Sequence, residues 1–451
     1  MALRSGASVQ MLRVAVMVGG TCVGSGLVFA GGFTHQQGAV GLGTSFSGAS
    51  ATASDPTTLF YNPAGMTSLP EGQNFSASAV YMNLRNNFRD AGSTDASGKA
   101  MSGNDGGNFG TKATIPNLYY VYNTGALAYG IGFSVPYAMQ LSYDPTWKGR
   151  FQFTNGKFVV QEVAPAVSYR LNDQWSFGAS VGYQSLSLEL GSKINNFNVC
   201  YAAVKSKGQA DAAAAAACAS QATVEGESKL KGTSRAPVLG LGVLYKPAAG
   251  WNIGLNYRSP TKHQVKGTVE YQNTSFAVFT AGNILTNGSV EGKSVMPGSG
   301  SLAVAHTHDA LTVSADVTYT AWSSVKELAY DFADNTPTKI TSLNWRNTVR
   351  AGVGGVYRVT SQVPVRLGYA FDQSPTPDAA HRVASLPDSD RHVIGLGAGY
   401  EMDKYKVNLG ISDVIVKNAP TDTAATTGEK LKGEYRNGNL VSIGVQVDYT
   451  L

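Results

Sequence analysis

No run in this chain approaches the roughly 20 apolar residues that a membrane helix needs, and only 14% of its 451 residues are charged. The first absence excludes a helical membrane bundle. The second is unusual for a soluble enzyme, whose charged fraction is nearer a quarter. With 35 Lys and Arg against 30 Asp and Glu the formal charge is +5, falling to +3 without Arg4 and Arg13. That is too small to argue for a nucleic-acid partner. There is no H-E-x-x-H and no phosphate-cradling loop. A lipid hydrolase on a barrel would need a paired Ser and His, which the sequence does not reveal. No catalytic residue, metal site or cofactor is therefore expected.

Cysteine is scarce as well, with Cys22, Cys200 and Cys218 alone. Cys22 falls in an N-terminal segment that reads as a secretory signal. Arg4 and Arg13 make its positive start, Val14 to Phe29 is mostly apolar, and Val28-Phe29-Ala30 offers a small-residue cleavage pattern. An exported chain meets an oxidising envelope, so a disulfide between Cys200 and Cys218 is favoured over a metal site, although their spacing leaves the pairing open.

What is abundant is glycine and aromatics: 52 Gly, 22 Tyr and 17 Phe. Short strand-like runs alternate with connections that are short, then long. The runs are 76–84, 115–122, 126–135, 157–170, 174–190, 229–245, 251–271, 293–305, 310–321, 344–358, 363–371, 391–402, 405–416 and 439–451. Alternating turn lengths and about fourteen strands predict an all-β fold, a transmembrane antiparallel β-barrel with periplasmic turns and extracellular loops. Period-2 patterning agrees: Val441, Ile443, Val445, Val447 and Tyr449 share one face, while Ser442, Gly444, Gln446, Asp448 and Thr450 share the other.

Ahead of the strands, Gly32 to Leu69 is rich in Gly, Ser, Thr and Ala and cannot make a core of its own. Small residues let a backbone pack against an enclosing wall, so this stretch reads as a plug. The division predicted is 1–30 signal peptide, 31–72 N-terminal hatch and 73–451 barrel. The insertion 200–230, with its Ala212 to Ala217 run, reads either as a low-complexity loop or as an outer lip offering apolar surface to a hydrophobic ligand.

Several stretches carry a family resemblance. They are Gly31-Gly32-Phe33, Gly41-Leu42-Gly43, Phe46-Ser47-Gly48, Asp55-Pro56 and Tyr61-Asn62-Pro63-Ala64-Gly65-Met66, followed by Trp147-Lys148-Gly149-Arg150-Phe151, Leu171-Asn172-Asp173-Gln174-Trp175-Ser176, Thr320-Ala321-Trp322-Ser323, Phe371-Asp372-Gln373-Ser374-Pro375 and Pro387-Asp388-Ser389-Asp390-Arg391. In this order they resemble the FadL/TodX family, outer-membrane transporters of long-chain fatty acids and other hydrophobic compounds. The resemblance implies a monomeric uptake channel in a Gram-negative outer membrane, surrounded by outer-membrane lipid and lipopolysaccharide. It also implies that Phe33 reaches an internal site, that Asn62, Pro63 and Ala64 hold the hatch, and that the third strand bends inward and opens a side window. Gly130, Gly132 and Pro136 are the residues suited to such a kink.

The strand patterns add a chemical expectation of their own. Outward Val349, Ala351, Val353 and Tyr357 send Arg346, Arg350 and Arg358 inward, and Arg366 and Arg391 follow on the next two strands. An arginine fork suits a carboxylate. Asp316, Asp372 and Asp448 could instead neutralise these arginines within the barrel. The reading is uptake of long-chain fatty acids or similar hydrophobic molecules by internal binding, hatch movement and lateral release. Aromatic-hydrocarbon uptake and a general diffusion porin are the alternatives.

Overall fold

A computed structural model describes residues 37–451. The expected signal segment and Phe33 lie outside the described residues. Nineteen strands form one antiparallel sheet. They are β1 (Gly72–Asp90), β2 (Lys112–Asn123), β3 (Leu127–Ser142), β4 (Asn155–Arg170), β5 (Trp175–Asn195), β6 (Glu225–Tyr245), β7 (Trp251–Arg258), β8 (Thr261–Gln272), β9 (Gly288–Met296) and β10 (Ser299–His308). The second half comprises β11 (Leu311–Thr320), β12 (Glu327–Phe332), β13 (Lys339–Ser342), β14 (Thr348–Arg358), β15 (Pro364–Asp372), β16 (Arg391–Glu401), β17 (Tyr405–Val416), β18 (Ala419–Ala424) and β19 (Lys430–Thr450). Because β1 pairs with β2 on one side and β19 on the other, the first and last wall strands meet and the sheet closes into a barrel.

Two of the expected wall strands are interrupted, each at a proline, which has no N–H to donate to a neighbouring strand. The run expected at 251–271 breaks at Ser259 and Pro260 into β7 and β8, and the run at 293–305 breaks at Pro297 and Gly298 into β9 and β10. The two breaks face each other, since β7 pairs with β10 and β8 with β9. Taking each broken pair as one wall strand, and setting aside β12, β13 and β18, the wall has fourteen strands. Those three lie in the long connections 322–343 and 417–438, which were expected to be loops but fold into extramembrane hairpins.

Faces alternate as the sequence pattern requires. Ile443, Val445 and Val447 are exposed to the surrounding hydrocarbon, whereas Ser442, Gln446 and Asp448 are buried in the interior. Inside the barrel sit helical turns at Ala39–Gly43, Ala49–Thr52 and Thr58–Tyr61, then a 3₁₀ segment at Pro63–Ser68. Glycines on inward wall positions make their seat. A Cβ added at Gly254 would lie 1.9 Å from the Ser50 carbonyl oxygen, at Gly368 2.0 Å from that of Thr44, and at Gly410 2.1 Å from that of Ala39. Any side chain there would displace the plug.

At the outer end, Cys200 and Cys218 form a disulfide with Cα atoms 5.8 Å apart. The alanine run folds as a helix, Asp211–Ala217, with Ala214 alone buried. The lip packs instead through Phe197, Phe276 and Phe279 around the disulfide.

Candidate functional site

Asn62 fastens the plug. Its Nδ2 donates to the Ser50 carbonyl at 2.7 Å and to the Val243 carbonyl on β6 at 2.9 Å. Its Oδ1 accepts from the Ala64 N–H at 3.1 Å, and Pro63 occupies the first position of the turn, where no donor is needed. Ala64 in turn gives its carbonyl to Ser168 Oγ of β4 at 3.0 Å. Wall side chains satisfy other plug backbone groups: Gln446 Oε1 accepts from Ala39 N–H at 3.0 Å, and Asp316 Oδ1 accepts from Gly48 N–H at 3.3 Å. A segment without a core of its own is thus held by hydrogen bonds to the wall.

The wall is interrupted beside the plug. Hydrogen-bonded register between β2 and β3 covers only Leu118–Asn123 against Ala128–Phe133. Beyond that, β2 keeps β1 and β3 keeps β4, but a seam separates the two strands until Thr111 Oγ1 reaches the Gln140 carbonyl at 3.0 Å. Along the seam β3 shifts register between Ser134 and Tyr137, at Val135-Pro136. Gln37 of the plug docks there, donating from Nε2 to the Val135 carbonyl at 3.1 Å and accepting from the Val135 N–H at 3.4 Å. Of the expected kink residues, Pro136 lies at the break. Gly130 and Gly132 lie below it, where a Cβ would come within 2.7 Å of Leu59 of the plug and of Tyr119 respectively.

Between plug and seam lies a cavity of about 160 Å³. Phe46, Phe60 and Tyr61 contribute its plug side, Pro136 and Tyr137 its seam side, and Arg258, Arg350, Ser301 and Thr318 part of the opposite wall. Tyr61 Oη donates to the Gln37 carbonyl at 2.9 Å, and burial pushes the phenol up, so it remains a neutral donor.

The expected arginines divide into separate groups. Arg350 reaches the cavity, pairs with Asp316 at 2.9 Å and donates to the Ser45 carbonyl. Arg391 is fully buried and sits between Asp388 at 2.7 Å and Asp372 at 3.2 Å. Arg366 lies against Gly43 of the plug, with a buried Nη1 that has no hydrogen-bond partner. Arg346 departs from expectation: it precedes β14, its side chain is 56% exposed, and it donates to the Ser374 carbonyl at 3.2 Å. Inward alternation does not reach it because the strand begins at Thr348. Arg358 is likewise exposed and pairs with Glu401 at 3.1 Å.

Sequence reasoning missed Arg258. It pairs with buried Glu162 at 2.6 Å and lies 4.5 Å from the centre of the Phe60 ring. Glu162 also accepts from Gln184 Nε2 at 2.8 Å. The partners are 96 residues apart, so only barrel register brings them together; inward position on β7 was the available signal. Gly178-Ala179-Ser180-Val181-Gly182 spells a nucleophile-elbow pattern, but it lies within β5 and not on the strand-to-helix turn that pattern requires. Among the described residues no group of acidic, His or Cys side chains could hold a metal ion.

A closed barrel with an apolar outer face, a polar interior and an enclosed N-terminal plug defines an outer-membrane channel. The family model for outer membrane protein transport protein (OMPP1/FadL/TodX) matches residues 21–451, and the chain belongs to that family. It is 28% identical over 449 residues to an outer membrane protein of Neisseria meningitidis serogroup B, covering 92% of this chain and 93% of the relative. It is 25% identical over 392 residues to the long-chain fatty acid transport protein of Escherichia coli K12, covering 82% and 84% respectively. The crystal structure of a Pseudomonas aeruginosa FadL homologue superposes with a TM-score of 0.84 at 25% identity, covering 93% of this chain and all of that one. The protein is an outer-membrane transporter of hydrophobic compounds.

Proposed function

We propose that the protein takes up long-chain fatty acids, binding them in the cavity between plug and seam and releasing them sideways through the gap between β2 and β3. The observation that carries this reading is that the cavity is lined by Pro136 and Tyr137, at the place where the β2–β3 ladder is missing. A hydrophobic molecule partitions into lipid but cannot cross a charged saccharide layer, and a lateral exit delivers it into hydrocarbon.

The cavity offers aromatic surface on one side and two guanidinium groups on the other, an arrangement suited to an acyl chain with a carboxylate head. Both arginines already have acid partners, so the carboxylate shares a guanidinium and does not meet a free one. At about 160 Å³ the resting cavity is below the roughly 300–1,000 Å³ of ligand pockets. Admission of a long chain therefore requires the plug to shift, and the Gln37–Val135 contact is the part nearest the seam. Monomeric action in contact with outer-membrane lipid belongs to the same reading, as do the boundaries 1–30, 31–72 and 73–451.

The β2–β3 ladder ends at Leu118 and Phe133, and continuing its register by one residue sets Asn117 opposite Ser134. With Asn117→Cys and Ser134→Cys together, oxidation should staple the seam. Uptake of radiolabelled fatty acid by cells should then fall to background and return on reduction, with the parent protein as control. Full uptake through the stapled protein would overturn lateral release.

A further inference from the structure

The outer face of the barrel carries a cluster of cations that transport does not use. Arg235 on β6, Lys262 and Lys266 on β8, and Lys293 on β9 all occupy exposed, outward positions. Register places them together. Gln264 pairs with Lys293, Lys262 and Lys266 flank Gln264 along the same face, and Lys266 pairs with Thr233, two residues from Arg235. Neighbouring strands are about 4.8 Å apart and same-face residues about 6.6 Å apart, so the side chains share one surface. Glu291 pairs with Lys266 at 3.3 Å. Among the described residues Arg235, Lys262 and Lys293 have no ion-pair partner within 4 Å.

The depth of the cluster follows from the aromatic row at the opposite edge of the apolar belt. Trp175, Tyr245 and Trp251 lie by the short turns, and Trp175 stacks on Tyr245 at 4.2 Å. A membrane strand takes roughly 9–11 residues to cross hydrocarbon. Counting that length along β6 from Tyr245 reaches Arg235, and Lys262, the twelfth residue from Trp251 across the β7–β8 break, lies just past it. Between them the outward positions include Leu239, Leu241, Leu255 and Tyr257, with Ser259 the polar one at the break. The cations thus stand just beyond the outer edge of the apolar belt, the level that headgroups take in a membrane.

We propose that Arg235, Lys262, Lys266 and Lys293 form a binding site for the phosphate groups of the outer leaflet's phosphorylated, multiply acylated saccharolipid. The inference rests on residence in the outer membrane and is independent of the transported cargo. Each cation near such a surface strengthens binding about fivefold. The test uses the full barrel in non-ionic detergent, titrated with bis-phosphorylated lipid A, its dephosphorylated form and phosphatidylglycerol at low salt.

The triple variant Arg235→Gln/Lys262→Gln/Lys293→Gln should bind bis-phosphorylated lipid A at least tenfold more weakly. Lys404→Gln/Lys406→Gln, at a short turn near the opposite end, should stay within twofold of the parent. Heat-modifiable gel migration reads folding separately, and single variants, each expected about fivefold weaker, carry the test if the triple variant does not fold. Unchanged affinity of the variants would overturn the proposal. So would equal binding of dephosphorylated lipid A, or phosphatidylglycerol binding as tightly as the saccharolipid.

Discussion

Arg391 and Arg350 carry the same guanidinium on adjacent regions of one wall, yet their surroundings assign them different work. Arg391 is held by Asp372 and Asp388 with no exposed surface, so its removal leaves buried carboxylates unpaired. Arg391→Ala should therefore cost about 3–5 kcal/mol, read as a lower temperature for the gel-mobility transition of the folded barrel. A stability equal to the parent's would contradict a structural role. That these arginines face inward was legible from the period-2 pattern. Their partners were only partly legible, because Asp372 meets Arg391 through register, and Arg258 meets Glu162 across strands far apart in sequence. Arg346 was misplaced since alternation holds only while a strand lasts.

At the level of elements, the plug and its seat are one construction. The Gly- and Ser-rich character of residues 37–69 was visible in the sequence, and so was the need for an enclosing wall. The complementary feature, glycines at Gly254, Gly368 and Gly410 touching plug carbonyls, was hidden among 52 glycines because nothing local separates a seat from a turn. Gly254→Ala with Gly368→Ala should displace the plug while the strand ladder still closes. Single-channel recordings should then show raised conductance with gel migration preserved, and a silent channel would argue that the plug accommodates the added methyls. The proline breaks at Pro260 and Pro297 escaped the strand pattern for a related reason. Alternation resumes on the far side of each break but shifted by one residue, odd positions facing outward on β7 and β9 and even ones on β8 and β10, so only a residue-by-residue count of faces separates the two strands of each pair.

For the whole molecule, strand count, closure and outward face were readable because they depend on patterns repeated around the barrel. The cavity was not, because it exists only where plug, seam and wall converge. Removal of residues 32–67 should leave a folded barrel that conducts small polar solutes, since the ladder carries the fold and the plug occludes it. Impermeability of that variant in liposomes would show that another segment closes the pore. Recognition of a carboxylated chain in the cavity is tested most directly by binding isotherms for a long-chain fatty acid and an uncharged hydrocarbon of equal length. They should be measured on the parent and on Arg350→Gln/Asp316→Asn, which removes the ion pair without leaving a lone buried charge. Loss of a charge-assisted hydrogen bond worth roughly 1.5–3 kcal/mol should weaken fatty acid binding at least tenfold and leave the hydrocarbon unchanged. Equal weakening of both ligands, or of neither, would contradict it.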